Sequence, residues 1–442
     1  MIAPTTTANT DKTAAYQSAL ITLQTQEAWP WLKTQRAEQY TRFETLGFPT
    51  RRDEDWKYTS VKALQKNQFT LAQQPGHLEP ALYESLLPED AVSLVFVDGF
   101  FMPSLSRLAD LEAGLSIHPL SALLKEGADL AKTAMDPWEG DQAECFSVLN
   151  TALARDGVVL KVDDGTQLTK EIHFVHAYSG DAHGTMTFPR NLLEIGSGCE
   201  VKLFQTSLSA DPEAKYFSNA LTHMTIGANS HVRFVQVQLD SLSAYQFQMT
   251  RVLQAQDSQF HNFVLTTGGD LVRNSLAVEQ AGTGAHTGMH GLTAVRAKQH
   301  VDNHTVLNHR FEHGTSNQLY KGILRDEGRT VFNGKIYVQP AAQLTNAYQL
   351  NRNLLLSPKA QAYTRPQLEI YADDVRCTHG ASVGPLDQEQ LFYLLSRGIP
   401  RAQAVSLLAH GFVEDVLEAV PDNVRDRLRQ HLNDYFVATE IN

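Results

Sequence analysis

Between residues 156 and 383 the chain runs through short alternating stretches rich in Val, Ile, Leu, Phe and Thr, separated by small and polar turn residues. LLEIGSGCEVKLF, LTHMTIGANSHVRFVQVQL, TVFNGKIYV and QLEIYADDVRCTH are examples. Alternation of this kind specifies strands with one face inward. Aligning the turns places Cys199, Ser230, Ser258 and Ala285 at equivalent points, 31, 28 and 27 residues apart. Gln299, Ser316, Thr330, Gln343, Gln361 and Arg376 continue the series at 13 to 18 residues. The early gaps are about twice the later ones, as expected if half-repeats go unrecognised in the first part. A strand–turn–strand unit repeated without intervening helices predicts a parallel β-solenoid, in which each coil stacks on the next. An antiparallel sandwich also supplies short, evenly spaced strands. Hairpin dipeptides are scarce, however, and only Asn333-Gly334 is a clear one, so the solenoid is the favoured architecture.

The flanks read differently. Residues 1–155 are mainly helical in pattern, with Tyr16, Leu20 and Leu23 at helical spacing, and VSLVFVDGFF (92–101) reads as a short strand with Asp98-Gly99 as a turn signal. Residues 384–442 are helical again. Asp387 and Gln390 resemble a capping box, and Gly398 before Ile399-Pro400 reads as a stop and a fresh start. Val405, Leu408, Phe412, Val416 and Val420 form one apolar stripe, and Val424, Leu428, Leu432 and Tyr435 another. So small a helical unit must lay that surface on the solenoid, the N-terminal region or a partner.

Composition narrows the function. In 442 residues, 37 basic against 49 acidic side chains give a net charge of −12, which argues against a nucleic-acid or anionic-membrane binder. No apolar run approaches a spanning helix, and MIAPTTTANTDK lacks the character of a secretory signal, so a cytoplasmic protein is expected. Three cysteines, Cys145, Cys199 and Cys377, cannot build a disulfide framework or a self-contained cluster site. There is no phosphate-binding loop, since Gly334-Lys335 has Arg329 where the upstream glycine belongs, and hence no ATP site. G-x-S-x-G, H-E-x-x-H and C-x-x-C are also missing, and no enzyme is expected.

Two groups could bind metal. Of 17 histidines, 12 lie between His173 and His313. In HVDNHTVLNHRFEH, alternation places His300, Asp302 and His304 on one face, and His309, Phe311 and His313 on one face. Such spacing could hold Zn(II) or Fe(II), although histidines solvated or hydrogen-bonded along an outer face are the plainer reading. In Cys377-Thr378-His379-Gly380, Cys377 and His379 share a strand face and suit iron–sulfur chemistry or zinc. They make only half of a four-coordinate site. The charged aromatic segment Arg51–Tyr58 reads as a structural or protein-contact element, because Asp53, Glu54 and Asp55 cancel its cations. Leu391, Phe392 and Tyr393, with Arg397, are helical core or a partner site.

The run ADDVRCTHGASVGPLDQEQLFYLLSRGI (372–399) closely resembles the signature of the SufD family, subunits of the Suf iron–sulfur cluster assembly scaffold. PTRRDEDWKYTSVKAL (49–64) looks like that family's other recurrent segment. The related SufB subunit shares the fold and a similar end, but the Cys-Thr-His-Gly-Ala order is SufD-like. The resemblance implies a right-handed parallel β-helix and a non-catalytic subunit that pairs with SufB and docks the ATPase SufC. By the same resemblance SufC docks on 386–412, which includes Leu391, Phe392, Tyr393, Arg397 and Gly398. The family's interfacial histidine falls on His379, with Cys377 beside it, holding nascent iron or cluster transiently against SufB while nothing is bound permanently. A homodimer through the same edge is compatible with this. Two other readings remain open: a β-helical polysaccharide-active enzyme, for which Glu279, Arg296, Asp302 and Arg325 form no recognisable arrangement, and an autonomous metal binder using His300 and His304.

Overall fold

The computed structural model describes residues 10–138, 140 and 143–437. Its centre is a parallel β-solenoid of about 8 turns, each turn giving one strand to each of two sheets. The first sheet runs from Gly157–Val162 through Arg190–Ile195, Phe217–Ile226, Tyr245–Gln254, Leu271–Gln280, His300–His309 and Arg329–Val338 to Gln361–Ile370. The second runs from Ile172–Tyr178 through Glu200–Ser209, His231–Leu239, Gln259–Thr266, His286–Val295, Thr315–Leu324 and Asn346–Leu355 to Arg376–Pro385. Phe217 pairs with Tyr245, Tyr245 with Leu271, Leu271 with His300, His300 with Arg329 and Arg329 with Gln361. The antiparallel sandwich is thereby excluded.

The repeat is legible at the corners. Cys199, Ser230, Ser258 and Ala285 each stand immediately before a strand of the second sheet, so their spacing is one whole coil. The half-coils skipped between them are the first-sheet strands Phe217–Ile226, Tyr245–Gln254 and Leu271–Gln280. Two residues before six successive second-sheet strands the backbone turns left-handed, at Gly198 (φ 68°), Asn229 (57°), Asp257 (53°), Gly284 (70°), His313 (61°) and Leu344 (61°). These corners stack as well: the Gly198 N–H donates to the Ala228 carbonyl at 2.8 Å and the Leu344 N–H to the Asp374 carbonyl at 2.7 Å.

Asn333-Gly334 is not a turn. It lies inside the strand Arg329–Val338, and a Cβ at Gly334 would come within 2.5 Å of the Gln349 carboxamide nitrogen across the lumen. The glycine makes room for a side chain rather than bending the chain.

One end of the solenoid is closed. Val92–Val97 joins the second sheet beside Ile172–Tyr178, then reverses at Asp98 (φ 49°) and Gly99 (φ 80°) into the antiparallel strand Phe100–Phe101. Leu115–Pro119 closes the first sheet, antiparallel to Gly157–Val162. Helices Thr10–Gln26, Pro30–Leu46 and Cys145–Leu153 bury Tyr16, Leu20, Leu23, Phe43, Phe146 and Leu149 against Phe217 and Leu221 of the first sheet. On the opposite side, helices Arg401–Leu417 and Asp422–Val437 lay Val413, Val416, Val424, Leu428 and Leu432 on Phe263, Leu292 and Ile323 of the second. The two C-terminal stripes therefore find the solenoid itself; the Tyr435 side chain lies outside the described residues.

Four of the mid-chain histidines, His173, His176, His223 and His309, are buried rather than solvated. His176 is 4% exposed and stacks on Phe96 with ring centroids 4.9 Å apart, while His173 stacks on Phe204 at 4.6 Å. His309 points into the lumen and hydrogen-bonds Ser316 at 3.1 Å. The strand ends there, so His309, Phe311 and His313 do not share a face: residues 310–314 form the corner, where His313 supplies the left-handed residue.

Burial holds His176 neutral down to about 4. An unfolded histidine titrates near 6.5. Above that pH neither state binds the proton; between about 6.5 and 4 the unfolded state binds more, so stability falls as pH falls. Buried carboxyls such as Asp156 and Asp240, whose pKa values burial raises, act in the opposite sense. The clean readout is therefore a difference. His176→Phe should be more stable than the parent, by a margin that widens between pH 7 and 5 in chemical denaturation. A margin independent of pH would count against this account.

Candidate functional site at the open end of the solenoid

Among the described residues, no strand caps the end opposite the hairpin. Gln361–Ile370 and Arg376–Pro385 each pair on one side only and finish the two sheets. Cys377 pairs with Ala347 and His379 with Gln349, which are 1% and 0% exposed and face the interior. Cys377 and His379 therefore also occupy the core-facing side, as alternation predicts. Cys377 packs half-buried against the main core, whereas His379 is exposed because no described coil follows.

The edges differ in what they offer a partner. In a parallel strand, successive residues direct their N–H and C=O to alternate sides. Arg376 donates back to Thr345 at 2.8 Å, so the N–H groups of Cys377, His379, Ala381 and Val383 point out of the free edge. Gln361 donates back to Gly328 at 3.0 Å, so on the other edge the even-numbered residues point outward. Pro366 is one of these, at mid-strand, where its missing N–H costs no internal bond. The strand carrying Cys377 and His379 thus has the longer uninterrupted row of free donors, with Ile370, Tyr371 and Val383 exposed nearby at 41%, 57% and 41%.

Chemically, this is one thiol and one imidazole beside an opening. Partial burial raises the Cys377 thiol above its ordinary pKa, against the lowering effect of its hydrogen bond with the Ala347 backbone, so it is protonated at neutral pH and a poor metal ligand without an added cation. Among the described residues no group of three or more His, Cys, Asp or Glu could hold a metal ion. That finding also bears on His300 and His304. The face shared by His300, Asp302 and His304 is covered by the Arg51–Tyr58 segment and the residue following it. Thr59 donates to Asp302 at 2.6 Å and hydrogen-bonds His300 at 3.0 Å. Arg273 also donates to Asp302, at 2.5 Å, and stacks 3.9 Å over the Trp56 ring. Tyr58 stacks on Tyr363 of the last first-sheet strand with centroids 4.5 Å apart, and Glu54 pairs with Arg365. His304 lines a cavity of about 430 Å³ with Glu144, Cys145 and Arg251, and burial pushes its pKa to about 3. The charged aromatic segment is a strap over five coils, from Phe247 to Arg365. Nothing within 49–64 signals where it docks, because its partners, from Phe146 to Arg365, are remote in sequence.

On the C-terminal helices, Asp387 caps Gln388–Ser396 by accepting from the backbone N–H groups of Glu389 (2.9 Å) and Gln390 (3.2 Å). Gly398 turns left-handed at φ 80°. Leu391 is 2% exposed and packs on Ala404 and Val405. Phe392 and Tyr393 are 72% and 56% exposed, with Arg397 5.2 Å over the Tyr393 ring. Leu391 is therefore core, and the outward surface belongs to Phe392, Tyr393 and Arg397. No described helix is long and apolar enough to cross a membrane.

Residues 8–174 match the SufBD protein N-terminal region, and residues 177–412 match the SufBD core domain of the SUF system for FeS cluster assembly. An iron–sulfur cluster assembly SufBD family protein of Synechocystis sp. is 33% identical over 396 residues, 87% of either chain. The iron–sulfur cluster assembly protein SufD of Escherichia coli is 32% identical over 384 residues, 85% of this chain and 86% of that one. A chloroplastic protein of Arabidopsis thaliana is 28% identical over 393 residues, 87% of this chain and 82% of the other. With family models and relatives matched over most of their length agreeing, the chain belongs to the SufBD family of iron–sulfur cluster assembly proteins, as a SufD-type member.

Proposed function

We propose that this chain is a non-catalytic cytoplasmic scaffold subunit whose open solenoid end pairs with a SufB-type subunit and whose C-terminal helices dock a SufC-type ATPase. Iron or nascent cluster is its cargo, held transiently where the two scaffold subunits meet. The observation that carries this reading is the half-site at the free edge, where Cys377 and His379 stand on the last rung. Two ligands at an unpaired edge are completed by whatever pairs there, and strand addition brings the partner's side chains onto the same rung. The exposed Phe392 and Tyr393, beside Arg397, have the aromatic-plus-arginine character of a docking hot spot. Without a SufB-type partner, the same edge pairs two copies of this chain.

The test is co-expression with SufB-type and SufC-type partners. His379→Ala should give a complex of unchanged mass and stoichiometry that carries little iron and acid-labile sulfide. A variant complex with the parent's full cluster content would remove His379 from this role.

A further inference from the structure

The interior beneath His379 is unusual for a protein core. Toward the open end the lumen fills with buried side-chain polar groups, among them Asn303, Gln318, Gln349, Asn351 and Asn353. A buried carboxamide left without a partner is costly, so each atom should have one. Following the bonds gives a chain with a direction. Gln318 donates its amide N–H to the Thr305 hydroxyl at 2.5 Å. The Gln318 oxygen in turn accepts from the Gln349 amide at 2.5 Å. The Gln349 amide group is thereby committed downward. Its oxygen is left buried with no partner, in a residue 0% exposed. Gly334, on the facing strand, leaves the space that this carboxamide occupies. The residue stacked on Gln349 in the next rung is His379.

Side chains paired across adjacent strands on one face are within reach of each other. An acceptor directed at an imidazole selects the tautomer that donates to it. We infer that Gln349 is a positioning residue for His379: its unpaired oxygen accepts one imidazole N–H and turns the other nitrogen's lone pair out of the solenoid's end. This deepens the reading of His379 as a cargo ligand and rests on it. The chain Thr305–Gln318–Gln349 acts as a rigid support, fixing both ring orientation and proton position before any metal arrives. Outer partners of this kind typically change metal affinity or activity by roughly 10–100-fold.

The test has two arms. In full-length protein with nitrogen-15-labelled histidine at pH 8, long-range proton–nitrogen correlation reads the His379 tautomer, its signals identified by their loss in His379→Ala. The parent should show one neutral tautomer and Gln349→Met a mixture. In the co-expressed complex, Gln349→Met should lower iron and sulfide content about tenfold. Gln349→Glu, which keeps an acceptor oxygen, should restore most of it, and complex mass should be unchanged in both. A mixed tautomer in the parent, or one unmoved by Gln349→Met, overturns the inference. A His379→Ala complex with full cluster would instead sink the ligand reading, an outcome the tautomer measurement keeps distinct.

Discussion

Replacing Asp302 with alanine is expected to cost the fold about 3–5 kcal/mol, because it strands a buried cation. Asp302 is 1% exposed and is the carboxylate to which Arg273 (2.5 Å) and Thr59 (2.6 Å) both donate. Arg273 is itself 6% exposed, pressed on Trp56 and donating to the Asp55 carbonyl at 3.1 Å. Without Asp302 the guanidinium keeps its desolvation cost and loses its counter-charge, while the strap loses its Thr59 anchor. Urea denaturation should register the full loss, and protease should cut within 51–58 sooner than in the parent. Asp302→Asn, which keeps an acceptor, should cost less. Converting Arg273 and Asp302 together to Met and Leu should recover much of the stability, since replacing a whole buried pair by apolar groups is often neutral. A D302A protein unfolding within experimental error of the parent would show that the strap is held by its aromatic contacts alone.

Gly157→Ala should be more severe still. Gly157 opens the first coil with φ 152°, and a Cβ there would lie 1.8 Å from the Arg190 carbonyl oxygen and 2.6 Å from its carbon. That backbone cannot retreat. The Arg190 side chain is locked by bonds to the Ala134 carbonyl (2.6 Å), the Asp136 carbonyl (3.0 Å) and the Thr151 hydroxyl (3.0 Å). The substitution combines an unfavourable backbone conformation with a backbone clash at the junction of helical unit and solenoid, so a loss above about 4 kcal/mol is expected. In practice the variant should partition into the insoluble fraction on expression. Soluble protein with a Tm within a few degrees of the parent would contradict this.

The solenoid was legible because its corners recur in sequence: small residues at 199, 230, 258 and 285 mark one coil each. Asn333-Gly334 misled because a glycine needed for space has the same spelling as one needed for a turn. Alternation placed His300, Asp302 and His304 correctly on one face, and Cys377 and His379 on another. It could not say what covered the first face, since the strap is remote in sequence. It failed at His313, where the strand had already given way to a left-handed corner. Leu391 and Phe392 are adjacent in a helix, and only packing decides which one turns inward. Gln349 was within reach of the repeat: stepping back one coil from His379 arrives at it.

The hairpin at Val92–Phe101 and the reversed strand Leu115–Pro119 have a consequence for where another body can join. A solenoid open at both ends would be a head-to-tail polymer unit, each edge templating the next, and contacts that do not close grow fibres. Reversing the strand direction at one end removes the parallel register that a further coil would continue, which disfavours head-to-tail stacking of copies there. The proposed pairing is thereby directed to the other end, where Gln361–Ile370 and Arg376–Pro385 still present parallel edges that a further coil could extend.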